Sequence, residues 1–256
     1  MILRWQRRVC TVHKPGRRWS TVAADKTTQK KRGVLFDVDG TLIDSSYFHA
    51  MAWWQAFRRE GLDIEMSAIH RRVGMGGGDR LIQSLVPDCS EDMQEDLKSA
   101  HGAVFSTFWP TLRTFESVRD LLAACSDAGL AVGLASSAQE RDLEVSRHLL
   151  DAGSSIDAWT SSNDAKESKP APDILEACLE KLGLSPEDVV FVGDAVWDVK
   201  AGSAIGIPVI ALTCGGISEA ELRDAGAAEV YDNPRHLLEN LETSMIGKLM
   251  AGSRDA

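Results

Sequence analysis

Gly33-Val34-Leu35-Phe36-Asp37-Val38-Asp39-Gly40-Thr41-Leu42 is the stretch on which the fold turns. A short apolar run enters a Gly-Thr turn, the signature of a buried strand. Three runs of the same kind follow, at Ala131–Ala135, Val189–Gly193 and residues 208–212. Helical patterns lie between and after them. One spans residues 117–127, with apolar Val118, Leu121, Leu122 and Cys125; others span Glu140–Leu150, Asp173–Leu182, 198–205 and 218–224. Strands alternating with helices through short turns predict an α/β fold, a parallel sheet with helices on both faces. In such sheets a ligand site forms beyond the carboxyl ends of the strands.

One segment breaks the alternation. Residues 45–112 carry no strand pattern but at least three helical stretches, 47–59, 78–85 and 91–108. The first holds Trp53, Trp54 and Phe57, a bulky stripe suited to packing helix on helix. The expected organisation is therefore a core over residues 33–44 and 113–245, interrupted by a helical insert over 45–112, with a frayed tail over 246–256. Residues 1–32 carry ten of the 28 Lys and Arg and one of the 38 acids, and are expected to form a disordered extension. That extension is Arg-rich and acid-poor, as organelle transit peptides are. It has no 7–15-residue apolar stretch of a secretory signal. A plain unstructured extension and a cytoplasmic location are the simpler expectation.

From Gly33 onward 37 acidic residues face 18 basic ones. Such a body argues against nucleic acid as partner, since phosphate backbones require a basic footprint. No run of 18 apolar residues appears, so no transmembrane helix and no membrane partner are expected. The five cysteines are scattered without a CxxC pair, which suggests neither zinc nor a disulfide framework, and a reducing compartment. No heptad pattern fixes an oligomeric state.

Asp37 and Asp39 stand two residues apart where the first strand ends, so they share a face if the strand continues. Like charges held there destabilise the site unless a cation lies between them or one takes a proton. A solvated turn explains Gly40 and Asp39, but not an acid set against four apolar residues. DVDGTL resembles the first motif of the haloacid dehalogenase superfamily, and the remaining motifs follow in order. Ser136 ends the run 131–135, Lys169 stands in Glu167-Ser168-Lys169-Pro170, and Gly193-Asp194-Ala195-Val196-Trp197-Asp198 matches GDxxxD. The resemblance covers roughly residues 33–232, and four ordered motifs are far more specific than any one.

The resemblance implies a Rossmann-like core and a magnesium-dependent phosphatase. Asp37 would be the nucleophile and Asp39 the proton donor and acceptor. Ser136, with Ser137 beside it, would bind the phosphate, and Lys169 would offset the crowded negative charge. Mg2+ would be held by the Asp37 carboxylate, the Asp39 carbonyl and the Asp194 carboxylate. For Asp198 two readings stand together: it orients Lys169 or a metal-bound water, or it is a helix N-terminal acid favoured by the dipole. An Asp at position 39 disfavours dehalogenation.

The insert resembles the cap of the subgroup that includes phosphoglycolate phosphatases and beta-phosphoglucomutase, with Asp44 and Ser45 at the expected hinge. The glycine-rich loop 72–80 is then substrate-facing, with Gly76, Gly77 and Arg80 as candidate contacts, or else a flexible turn. It lacks the ending of a P-loop. His49 is a further candidate, although a surface histidine is the simpler reading. The expected substrate is a small phosphorylated metabolite, a sugar phosphate or phosphoglycolate. The rival activities are a beta-phosphoglucomutase-like phosphomutase, for which Arg71, Arg72 and Arg80 could hold a second phosphate, and a catalytically silent binding protein of the same fold.

Overall fold

The computed structural model describes residues 32–76 and 78–251. The quoted stretch forms strand β1 (Gly33–Phe36), fully buried at Val34, Leu35 and Phe36. It pairs on one side with β2 (Ala131–Ala135) and on the other with β4 (Val189–Gly193), both parallel, with Phe36 level with Leu134 and Val192. β5 (Val209–Leu212) lies beyond β4. Two short strands that the apolar runs did not announce close the edges, β3 (Ala158–Thr160) against β2 and β6 (Glu229–Tyr231) against β5. All pairings are parallel and the order is β3-β2-β1-β4-β5-β6. Chain order reverses beside β1, which makes the carboxyl ends of β1 and β4 the switch point where such sheets bind ligands.

Alternate residues along each strand feed opposite faces. Val34, Phe36, Val132, Leu134, Val190 and Val192 pack with α5 (Val118–Asp127), α10 (Pro234–Glu239) and α11 (Met245–Ala251). Leu35, Val189, Phe191, Val209 and Ala211 pack with α7 (Asp173–Leu182), α8 (Val196–Ala204) and α9 (Glu219–Asp224). α6 (Glu140–Leu150) follows β2 and leaves its first turn at the strand ends. The segment expected to fray from residue 246 instead begins inside α11, where Ile246 is fully buried among the residues of the first face. The basic extension falls outside the described residues, apart from Arg32, which donates to the Leu249 carbonyl at 3.1 Å.

The insert contains α1 (Ser46–Arg59), α2 (Met66–His70), α3 (Asp79–Leu85) and α4 (Glu91–Ser106). Trp53, Phe57, Ile69, Leu81, Ile82 and Leu97 give it a hydrophobic core of its own. Its entry and exit strands lie side by side. Asp44 N donates to the Arg113 carbonyl at 2.9 Å and Phe115 N to the Leu42 carbonyl at 3.0 Å. The helical layer therefore stands over the carboxyl ends of β1, β2 and β4 on a two-stranded stem.

Candidate active site

β1 ends by handing Asp37 to the switch point, its backbone still tied to β4 by Asp37 N to the Val192 carbonyl at 2.8 Å. β4 ends one residue before Asp194. Between these strands the chain turns back at Gly40, whose φ of +84° belongs to glycine. A β-carbon there would fall 2.3 Å from Asp194 Oδ2, and one at Gly215 would fall 1.7 Å from the same oxygen. The backbone thus closes around this carboxylate as no residue with a side chain would permit.

Asp37, Asp194 and Asp198 are all buried, and a carboxylate oxygen from each lies within 4.8 Å of the others. Lys169, also buried, is the counter-charge: its Nζ bonds Asp37 Oδ1 and pairs with Asp198 Oδ1 at 2.8 Å. Thr41 Oγ1 is 3.0 Å from Asp194 Oδ1 and 3.2 Å from Asp37 Oδ2, and can donate to one at a time. Burial pushes Asp37 upward, Lys169 pulls it down, and the nearby Asp198 and Asp39 charges push it up again, leaving it at about 7. Burial, Asp198 and Asp37 hold Asp194 well above the usual carboxylate range. Burial alone would lower Lys169; Asp198 and Asp37 outweigh it, so the ammonium is kept charged. Three close carboxylates against one ammonium leave a deficit of positive charge. Hard oxygen donors in a buried group of this kind suit a small divalent cation such as Mg2+.

Asp198 makes two kinds of contact. Its Oδ2 accepts from the Asp194 and Ala195 backbones at 3.2 and 3.0 Å, capping α8, while Oδ1 holds Lys169. One carboxylate thereby ties the helix start, the lysine and the Asp194 loop into a single unit.

Asp39 stands apart from this cluster, partly exposed on the cleft side. Ser45 Oγ donates to its Oδ1 at 2.7 Å, and His49 Nε2 lies 3.3 Å from the same atom. Burial pushes Asp39 up, but the His49 bond and charge and the Ser45 hydroxyl outweigh it and hold the carboxyl below its ordinary range. His49 is therefore no surface residue. Its Nδ1 sits 3.2 Å from His101 Nε2 on α4, and its ring stacks on Phe105 at 3.8 Å. His101 in turn stacks on Trp53 at 4.2 Å. Burial and the neighbouring His49 charge keep His101 well below the ordinary histidine value, hence neutral. His101 has no sequence signal beyond lying on a helix, and sequence reading passed over it.

A cleft of about 350 Å³ separates the two layers and is lined by Asp37, Asp39, His49, Gly76, Ser137 and Lys169, among others. Ser136 is placed differently from Ser137: it is buried, and its Oγ accepts from Ala138 N at 3.1 Å. Ser137 borders the cleft, and its hydroxyl has no hydrogen-bond partner among the described residues. Gly76 sits on the core, where a β-carbon would fall 2.9 Å from Ser168 Cβ and 3.1 Å from Ser137 Oγ. Gly77 lies outside the described residues. Arg80 turns away from the cleft to pair with Glu167 across the two layers. Two more contacts lock the layers together: Trp197 Nε1 donates to the Arg71 carbonyl at 3.1 Å, and His70 Nε2 to the Gly215 carbonyl at 3.0 Å.

A buried switch-point aspartate paired with a lysine, beside an acidic cluster and beneath a helical cover, fits a hydrolase of the phosphoryl-transfer type. The chain matches the sequence model of the haloacid dehalogenase-like hydrolases over residues 34–212, and it belongs to that family as a phosphatase. It is 30% identical over 223 residues to Protein SUPPRESSOR OF QUENCHING 1, chloroplastic, of Arabidopsis thaliana, a match of 84% of this chain but only 21% of that protein. It is 29% identical to the N-acetylmuramic acid 6-phosphate phosphatase of Pseudomonas aeruginosa, over 84% of this chain and 96% of that one. Among solved structures, a hydrolase from Pseudomonas syringae superposes with a TM-score of 0.79 at 28% identity, covering 83% of this chain and 99% of the other. No helix among the described residues is long and apolar enough to cross a membrane.

Proposed function

We propose that the chain is a magnesium-dependent phosphomonoesterase acting on a small phosphorylated metabolite, a sugar phosphate or phosphoglycolate, through an aspartyl phosphate on Asp37. The observation that carries this reading is Asp37 itself, buried at the switch point, bonded to Lys169 and open to the cleft. Asp37, Asp194 and the Asp39 carbonyl would hold Mg2+, which supplies charge stabilisation to the transferring phosphoryl group. Asp37 attacks phosphorus in line and displaces the alkoxide. Lys169 keeps the nucleophile oriented and offsets charge beside it.

Asp39 is held as a carboxylate in the free chain, so the arriving phosphate dianion must raise its pKa for it to carry the proton that the leaving alkoxide takes. Once that proton is delivered, His49 and Ser45 again favour the carboxylate, which then takes a proton from the water that hydrolyses the aspartyl phosphate. Burial beneath the helical insert keeps other water from the intermediate. Hydrolysis is favoured over phosphomutase action because none of the three candidate arginines of the insert is free to hold a second phosphate. Arg71 pairs with Glu221 at 3.6 Å and Arg80 with Glu167, while Arg72, although it lines the cleft, donates to Ser84 and to the Ala68 carbonyl. The N-acetylmuramic acid 6-phosphate handled by the Pseudomonas aeruginosa relative belongs among the candidate substrates.

The deciding experiment is phosphate release from a panel of such esters with Mg2+ and with EDTA. Magnesium-dependent release from a few members is expected; release that persists in EDTA, or none at all, overturns the reading.

A further inference from the structure

Gly102 lies inside α4, is buried, and has no positive φ that would call for glycine. A glycine inside a helix costs stability relative to alanine. What its missing side chain admits is specific. The three atoms nearest a β-carbon at Gly102 belong to the Arg141 guanidinium: Nη2 at 2.2 Å, Cζ at 3.3 Å and Nη1 at 3.8 Å. Arg141 comes from the first turn of α6 on the opposite layer, so a helix of the insert gives up its side chain to seat a cation from the core.

Arg141 is also the uncommitted arginine of the cleft. Arg72 donates to Ser84 Oγ at 2.8 Å and to the Ala68 carbonyl at 2.9 Å, and Lys98 is held by Asp79 and Glu95 at 2.9 and 2.7 Å. Arg141 has one ion pair, Nε to Asp142 Oδ1 at 3.6 Å, and its terminal nitrogens make no hydrogen bond among the described residues. Lys169 is already engaged by Asp37 and Asp198, and Lys166, which also lines the cleft, is an exposed side chain with no ion pair among the described residues. On a body with 37 acids against 18 bases, an anion entering the cleft needs further positive charge.

We propose that the substrate carries a second oxyanion on its leaving-group side, a carboxylate or a second phosphate, and that the Arg141 guanidinium, seated by Gly102, recognises it. A planar fork whose terminal Nη1–Nη2 edge makes no hydrogen bond among the described residues suits either group in bidentate fashion. The cleft, at about 350 Å³, fits a compact hydroxy-acid or sugar-acid phosphate. This inference rests on the phosphatase reading above.

The test uses the full chain and matched esters that differ in one group. Phosphoglycolate is set against 2-hydroxyethyl phosphate, 6-phosphogluconate against glucitol 6-phosphate, and glucose 1,6-bisphosphate against glucose 6-phosphate. In at least one pair the charged member is expected to show kcat/KM about tenfold to a hundredfold higher, the range set by a hydrogen bond to a charged group. Which pair responds distinguishes carboxylate from phosphate. Arg141→Gln is expected to bring that ratio down by about tenfold or more, chiefly through KM, and Arg141→Lys to restore part of it. Gly102→Ala, which displaces the guanidinium, should act like Arg141→Gln while melting no lower than the wild type. Equal turnover within every pair, or an Arg141→Gln variant that slows both members alike, overturns the inference while leaving hydrolysis in place. Absence of release from every ester overturns the phosphatase reading and the inference with it.

Discussion

Gly215 is where a single residue has the most to say about the site. Its α-carbon stands so close to Asp194 that a β-carbon would sit 1.7 Å from the carboxylate, and Gly215 also takes the His70 hydrogen bond from the insert. Gly215→Ala is therefore expected to displace Asp194 and weaken Mg2+ binding about tenfold to a hundredfold, as loss of support behind a metal ligand does. Calorimetric titration of Mg2+ reads this directly, and unchanged affinity would remove Asp194 from the ligand set. Lys169 offers the complementary test. Lys169→Met leaves three buried carboxylates without their cation, and breaking such a pair costs about 3–5 kcal/mol; urea denaturation at pH 8 without metal should show a loss of that order. Asp37→Asn is expected to keep the fold and lower kcat by about four orders of magnitude or more, the scale seen when a nucleophile is removed. Asp37 and Asp194 were legible because each follows a buried strand inside a short run of fixed type, and Lys169 because it stands in such a run directly before Pro170. His101, Thr41 and Gly215 were not read as site residues, because they become so only when helices and loops far apart in sequence meet.

At the scale of elements, α4 carries a conflict between stability and use. Gly102→Ala removes a glycine from its interior and is expected to stabilise the protein by about 0.5–1 kcal/mol, provided the guanidinium swings away. Thermal unfolding measures this, and a lower melting temperature would mean that the Arg141 contact itself supports the layer packing. The same scale explains which elements could be read in advance. β1, β2, β4 and β5 are buried on both faces and announce themselves as continuous apolar runs. β3 and β6 are edge strands of three residues, and β6 is only half-buried, so neither produces a run that composition could separate from a loop. α2, at five residues, is too short to show a period, and it is held by packing of Ile69 in the insert's core. α11 was mistaken for a tail because its anchor is a single buried face around Ile246, settled by contact with the sheet rather than by local pattern.

For the whole molecule, the acidic cluster makes folding, metal and pH one problem. In the chain without metal, burial and neighbouring acids hold Asp37 at about 7 and Asp194 well above its ordinary value, whereas in the unfolded chain both titrate near 3.8. Between those limits the unfolded chain releases protons that the folded chain retains. The folded state then binds more protons, and stability without metal falls as pH rises through this window, levelling for Asp37 above about 7. Asp39, held low, has already made its contribution by the lower end of the window, and Lys169 titrates far above it. A bound divalent cation reverses the sign, because it binds the ionised carboxylates and competes with their protons. The rise in melting temperature produced by saturating Mg2+ is therefore expected to grow with pH from about 5.5 to about 7. Each pH unit is worth about 1.4 kcal/mol per proton displaced, or roughly 3–6 °C for a chain of this size. Asp37→Asn should flatten part of that slope, since one of the titrating ligands is gone. A magnesium increment that stays constant across the window would mean the carboxylates are already ionised without metal, and the lysine alone would then have to balance the cluster.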